Sequence, residues 1–195
     1  MKNILITGFY PFGDYKVNPT EQFLKSHSVL GELYLYSLIF PPRTFGDGAE
    51  NFGLNTVKFA RSLNAIAIIS LGMASDVKGL RIETSSINWS EGKYCLDFEQ
   101  KKRLDSRFSS RATKKTNLAQ WDIEAMLKNF KNLNIKFERK LSESAGTYCC
   151  NALMYRVLSN LEPSSNIPYI FLHIPCSAEA VAGIDNFNYV LVLIY

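Results

Sequence analysis

Ala65-Ile66-Ala67-Ile68-Ile69-Ser70-Leu71-Gly72 is the stretch that decides the fold. Seven residues hold one serine and otherwise only apolar side chains, and a glycine follows. A continuous apolar run of strand length reads as a strand buried on both faces, as in a parallel sheet covered by helices. An amphipathic pattern precedes it. Gly46 to Leu63 carries Ala49, Phe52, Val57, Ala60 and Leu63 at helical spacing. The same alternation recurs outward in both directions. Lys2 to Thr7 reads as a first strand ended by Gly8. Asn18-Pro19-Thr20-Glu21 opens a helix to about Ser26, with a polar cap and proline in the first turn. Leu33 to Phe40 is a strand stopped by Pro41-Pro42. Arg81 to Trp89 alternates as another strand. Trp121 to Leu133 is helical on Ile123, Met126, Leu127 and Phe130, and Asn134 to Arg139 reads as a short strand. Asn151 to Leu161 is helical, with Leu153, Val157 and Leu161 on one face and Met154 and Leu158 beside them. Tyr169 to Ile174 is a second buried strand, and Tyr189 to Tyr195 a third. Strands alternating with helices predict an α/β chain, a single domain over residues 1–195. The expected form is three-layer αβα with a mainly parallel, twisted central sheet of the phosphorylase/hydrolase-like kind.

The 195 residues are 47% hydrophobic with a net charge of +4, which suits a globular domain and excludes a disordered chain. No apolar run reaches the length of a membrane span, and the apolar stretch Ile4 to Ile6 is too short for a signal-peptide core. A cytoplasmic protein with reduced thiols is expected. Cys95, Cys149, Cys150 and Cys176 have no metal-ligand spacing, and there are two histidines, so no metal and no cofactor is expected. Between Lys101 and Lys115 seven basic residues stand against Asp105 alone. A solvated surface segment accounts for them, and with Phe108 as its one aromatic the stretch is not expected to bind nucleic acid.

The chemistry centres on Ser144-Ala145-Gly146-Thr147-Tyr148-Cys149-Cys150-Asn151. A small-residue turn delivers cysteine to a helix start, where partial positive charge and unpaired N–H groups favour a thiolate nucleophile. A buried, inert cysteine fits the same pattern. A nucleophile needs a base. His173, at the carboxyl end of an apolar strand, lies where open α/β sheets bind ligands. His27 sits in a polar helix end and reads as exposed. Glu83 could orient the imidazole, although spacing alone does not select it over other acidic residues. The Gly146–Thr147 backbone with the Cys150 N–H could hold an oxyanion.

Four blocks carry a resemblance. They are Leu5-Ile6-Thr7-Gly8-Phe9-Tyr10-Pro11-Phe12-Gly13, Asn18-Pro19-Thr20-Glu21, Ser144 to Asn151, and Phe171-Leu172-His173-Ile174-Pro175. In this order they resemble the pyroglutamyl peptidase I (pyrrolidone-carboxyl peptidase) family of cysteine peptidases. The resemblance implies Cys150 as nucleophile, His173 as base and Glu83 as the third catalytic member, with Asn88 matching an asparagine five residues on. It implies hydrolysis of the bond after an N-terminal pyroglutamate without metal or cofactor. Phe9 and Phe12 would line a flat lactam pocket, and Asn18, Thr44, Tyr148 and Cys149 would surround it. A homodimer or homotetramer is implied as well. The chain departs from the family at Thr84, Ser85 and Ser86, and at Lys93 in place of an arginine. Cys149 stands where the family has an apolar residue. These departures and the basic stretch carry the alternative of a non-catalytic relative that binds a small molecule, a peptide terminus or an anionic partner.

Overall fold

A computed structural model describes residues 2–26, 28–92, 95–96, 101–132, 135–138, 140–161 and 165–176. The readings for His27, Lys93 and Tyr189 to Tyr195 lie outside them. In chain order the elements are β1 (Lys2–Phe9), α1 (Pro19–Ser26), β2 (Val29–Leu30), β3 (Leu33–Phe40), α2 (Phe52–Ser62), β4 (Ala67–Ala74), β5 (Arg81–Glu83), β6 (Ser85–Ile87), β7 (Ser90–Glu91), β8 (Lys101–Lys102), β9 (Thr113–Lys115), α3 (Ile123–Asn132), α4 (Cys149–Asn160) and β10 (Tyr169–Pro175).

Six strands form the central sheet in the order β2-β3-β1-β4-β10-β5. The four inner strands run parallel, and β2 and β5 close the edges antiparallel. Alternation along each strand divides the core between two faces. Ile4, Ile6, Ile69, Leu71, Ile170 and Leu172 pack with Phe23 and Leu24 of α1 and Met126 and Phe130 of α3. Leu5, Ile68, Tyr169 and Phe171 pack with Val57 and Ala60 of α2 and Leu153, Met154 and Val157 of α4. This is the helix–sheet–helix layering that the apolar runs predict, because a parallel strand must be covered on both faces. The crossing of α2 and α4 is close. A Cβ on Gly53 would lie 2.4 Å from the Arg156 carbonyl carbon.

The main differences from the sequence reading involve contacts distant in sequence or the start of an element. The strand begun at Ala65 does not stop at Gly72. Asn64 turns with φ 48°, the strand starts at Ala67, and pairing of Gly72 with His173 carries it to Ala74. The 81–89 strand breaks at Thr84, whose N–H and hydroxyl both donate to the Ser142 carbonyl at 2.8 Å. The chain then leaves the main sheet so that β6 can pair with β9. The 134–139 strand is reduced, in its described part, to one parallel bridge between Phe137 and Leu80. The helix read from Asn151 begins at Cys149, so both cysteines lie in its first turn. The basic stretch forms two short antiparallel pairings, β6 with β9 and β7 with β8, and most of its side chains are exposed. No helix among the described residues is long and apolar enough to cross a membrane.

One ion-pair group ties the loop after β4 to the 135–138 segment. Arg81 Nε and Nη2 donate to Glu138 at 2.7 and 3.2 Å, and Nη1 donates to Asp76 at 2.9 Å. The guanidinium holds both carboxyls below their ordinary values. A carboxyl depressed in the folded state stabilises the fold above its unfolded pKa of about 4, and that stabilisation fades as pH falls through the depressed value. Glu138→Gln is therefore expected to flatten the acid side of the Tm-against-pH curve. A mutant curve parallel to wild type down to about pH 2 would contradict this.

Candidate active site

The carboxyl ends of β1, β4 and β10 and the start of α4 meet at one rim of the sheet. There His173 Nδ1 lies 2.7 Å from Glu83 Oε1, and both side chains are buried. The pairing is built by strand register. Phe171 stands opposite Glu83, and His173 stands opposite Arg81, so the carboxylate reaches diagonally, two residues along β10, to the ring. A carboxylate oxygen only accepts, so Nδ1–H donates, and in the neutral ring Nε2 then keeps its lone pair.

Gly72 is the point against which ring and sulfur both pack. A Cβ added there would lie 2.8 Å from His173 Cδ2, 2.9 Å from Cys150 Sγ and 2.9 Å from Phe171 Cε1. The sulfur and the ring carbon beside Nε2 therefore cannot be farther apart than the sum of the first two distances. Glycine on this strand leaves the hollow in which the Cys150 sulfur and the imidazole lie together.

The start of α4 is held from below. Tyr148 precedes the helix in extended conformation, and the Cys149 N–H donates to Cys95 Sγ at 3.2 Å. Asn151 is fully buried. Its Oδ1 accepts from the Ile87 N–H at 2.9 Å, and its Nδ2 donates to the carbonyls of Ile87 and Trp89 at 3.1 and 2.8 Å. The residue after Cys150 thus fastens the helix to the segment that follows Glu83. A hydrogen bond with Cys150, together with burial, pushes the Cys149 thiol well above its ordinary value. Cys149 is a neutral thiol beside Cys150. All four cysteines are free, and among the described residues no three His, Cys, Asp or Glu side chains converge as a metal site.

A cavity of about 590 Å³ opens over this group. Its walls are the loop after β1 (12–15), the end of β4 with the loop that follows (73–76), and the turn at 144–146 with Tyr148. Cys150, Glu83 and His173 are part of the lining. The rings of Phe12 and Tyr15 meet edge-on at 6.0 Å.

A model of the pyroglutamyl peptidase family matches residues 2–190 of this chain. The chain belongs to that family. Among relatives, the pyrrolidone-carboxylate peptidase of Oceanobacillus iheyensis is 34% identical over 188 residues, covering 91% of this chain and 85% of the relative. The enzyme of that name from Thermococcus litoralis is 26% identical over 94% of this chain and 80% of its own length. Two solved structures share the fold. The pyrrolidone carboxyl peptidase of Thermococcus litoralis superposes with a TM-score of 0.79 at 21% identity, covering all of this chain and 93% of that one. The pyroglutamyl peptidase I of Bacillus amyloliquefaciens gives 0.76 at 22% identity, covering 99% of this chain and 92% of that one.

Within this pyroglutamyl peptidase fold, Cys150, His173, Glu83, Phe12, Tyr148 and Cys149 meet at the cavity. Three other residues named from sequence lie outside its lining. Phe9 packs in the core on the α2/α4 face of the sheet. Asn18 is buried. It accepts from the Thr20 N–H at 3.0 Å and donates to the Tyr10 carbonyl at 3.2 Å, bracing the 10–13 loop. Thr44 is buried, and its carbonyl accepts from Arg156 at 2.6 Å. The Gly146 N–H is directed to Ser144 Oγ at 3.2 Å, so this donor serves the turn. Sequence reading missed Asp14, Asp76 and Arg81 on the cavity wall. Asp14 and Asp76 carry one signal, position in loops at the carboxyl ends of strands, and Arg81 opens β5 with no local signal.

Gly72→Ala is expected to lower kcat/KM about 100-fold, because the new methyl must displace ring or sulfur, and a misplacement near 1 Å has that effect. Alanine suits a strand better than glycine, so the protein should stay folded. Wild-type turnover in the variant would contradict the close approach.

Proposed function

We propose that this chain is a cysteine peptidase that removes an N-terminal pyroglutamyl residue from peptides through an acyl-enzyme. One observation carries the mechanism: an imidazole held at Nδ1 by a buried carboxylate, with its Cδ2 and the Cys150 sulfur packed against the same Gly72. Nε2 of His173 takes the thiol proton as the sulfur attacks the carbonyl of the pyroglutamyl residue. A C–S bond forms and an oxyanion develops, which the Cys150 N–H in the first turn of α4 stabilises. Collapse breaks the C–N bond, and the imidazolium gives its proton to the departing amine. Water, deprotonated by His173, then attacks the thioester and releases pyroglutamate and the free thiol. Glu83 stabilises the imidazolium in both halves.

The pyroglutamyl ring is neutral, flat and mostly apolar. Phe12, Tyr148 and the neutral Cys149 thiol offer it apolar surface at the cavity. Phe9 packs in the core cluster that holds Cys149 and Tyr148, and Asn18 braces the loop that carries Phe12. Residues 1–195 act as one domain in a reducing cytoplasm, without metal or cofactor, and family resemblance favours a homodimer or homotetramer.

The test is release of a fluorophore from an L-pyroglutamyl amide, with L-prolyl and L-glutamyl amides as controls. Selective release supports the reading. A folded protein that binds pyroglutamate without turnover would replace it with the non-catalytic one.

A further inference from the structure

The cavity carries charge that bond cleavage does not require. Among its described lining residues Asp14, Asp76 and Glu83 are acidic, and Arg81 is the one strong cation. The guanidinium is already engaged, bidentate to Glu138 and single to Asp76. It is also recessed: the Arg81 side chain is 19% exposed, while that of Asp76 is 70% exposed. Among the described lining residues, the charge presented to solvent is therefore carboxylate. Asp14 and Asp76 stand on loops that follow two paired strands, β1 and β4, so they border the same opening. Lys16 and Lys78, the nearest lysines in sequence, are not in the lining. This acidic rim sits on a chain whose net charge is +4, so it does not reflect the protein's average.

A pyroglutamyl ring has no charge and no free amine, so the rim cannot read it. The rim can read the side chain of the next residue in the peptide. We propose that Asp14 and Asp76 set leaving-group specificity, favouring peptides with lysine or arginine after the pyroglutamate over those with aspartate or glutamate. Arg81 is a positioning residue that holds Asp76 at the rim. The inference rests on the peptidase reading above. A cationic side chain leaving the cavity is attracted by two carboxylates and an anionic one is repelled. Such a mouth separates the two by about tenfold in kcat/KM at low ionic strength. The rim is exposed, so the preference must shrink as the Debye length falls from about 30 Å at 0.01 M salt to about 3 Å at 1 M.

The experiment measures kcat/KM for pyroglutamyl-alanine, pyroglutamyl-lysine and pyroglutamyl-glutamate amides at low and high salt. It uses the wild-type chain, Asp14→Asn, Asp76→Asn and the double variant. The expected order is lysine, alanine, glutamate, with the lysine-to-glutamate ratio near ten at low salt. High salt and the double substitution should each bring that ratio close to one. The ratio is the readout, so a variant with lower overall activity still reports, and a purely structural role would lower all three substrates alike. Equal rates on the lysine and glutamate substrates by wild type overturn the specificity proposal while leaving the peptidase reading intact. An unchanged ratio in the double variant overturns the assignment to these residues. Failure to cleave any of the three removes the peptidase reading itself.

Discussion

Cys150→Ser is expected to lower pyroglutamyl amide hydrolysis by at least about 1000-fold without unfolding the protein. Serine keeps the position and loses the chemistry. A thiol is a much stronger acid than an alcohol, and the single histidine base must strip a far more tightly held proton from serine. The fold should tolerate the change. Cys150 is 6% exposed at the edge of the core, and the replacement is slightly smaller and can hydrogen-bond in the first turn of α4. Fluorophore release and the Tm, measured on the same sample, check both halves. Retained hydrolysis in the serine variant would sink the assignment of the nucleophile.

Glu83→Gln is expected to lower kcat by about 1000- to 10,000-fold, the scale seen when a triad carboxylate becomes an amide. The amide removes the charge that stabilises the imidazolium, and its NH2 face favours the tautomer with the proton on Nε2. The expected stability effect has the opposite sign. Glu83 is fully buried, and its Oε2 finds no hydrogen-bond partner among the described residues. A buried carboxylate with an unpartnered oxygen is unfavourable, and the amide removes its charge while leaving the same position unpartnered. The variant should be nearly inactive with a Tm equal to or above that of wild type, and KM should change little because the carboxylate lies behind the ring. A large fall in Tm, with activity lost only in proportion to unfolding, would make Glu83 a structural residue instead.

Features governed by local pattern were legible in the sequence. The Asn18-Pro19 cap and the helix to Ser26 follow from neighbours in the chain, as does the strand of Leu33 to Phe40 before two prolines. Features governed by distant contacts were not. Gly72 looks like a strand end until His173 is seen opposite it. Thr84 looks like a strand interior until Ser142 takes its N–H and hydroxyl. The site divides in the same way. Cys150 and His173 stand out through the ends of their own elements. Glu83 could be chosen only by resemblance, because its meeting with His173 depends on β5 lying antiparallel beside β10, and strand order is not written in periodicity. The Arg81–Glu138 pair spans 57 residues of sequence and leaves no local trace.

The Asn151 clasp gives the chain a spectroscopic handle. The Ile87 amide proton, 64 residues away in sequence, is held by the side chain next to Cys150. Any event that unseats the first turn of α4 must also free that proton to solvent. Its deuterium uptake therefore clocks how often the sulfur leaves its station, in a molecule that need not be turning over.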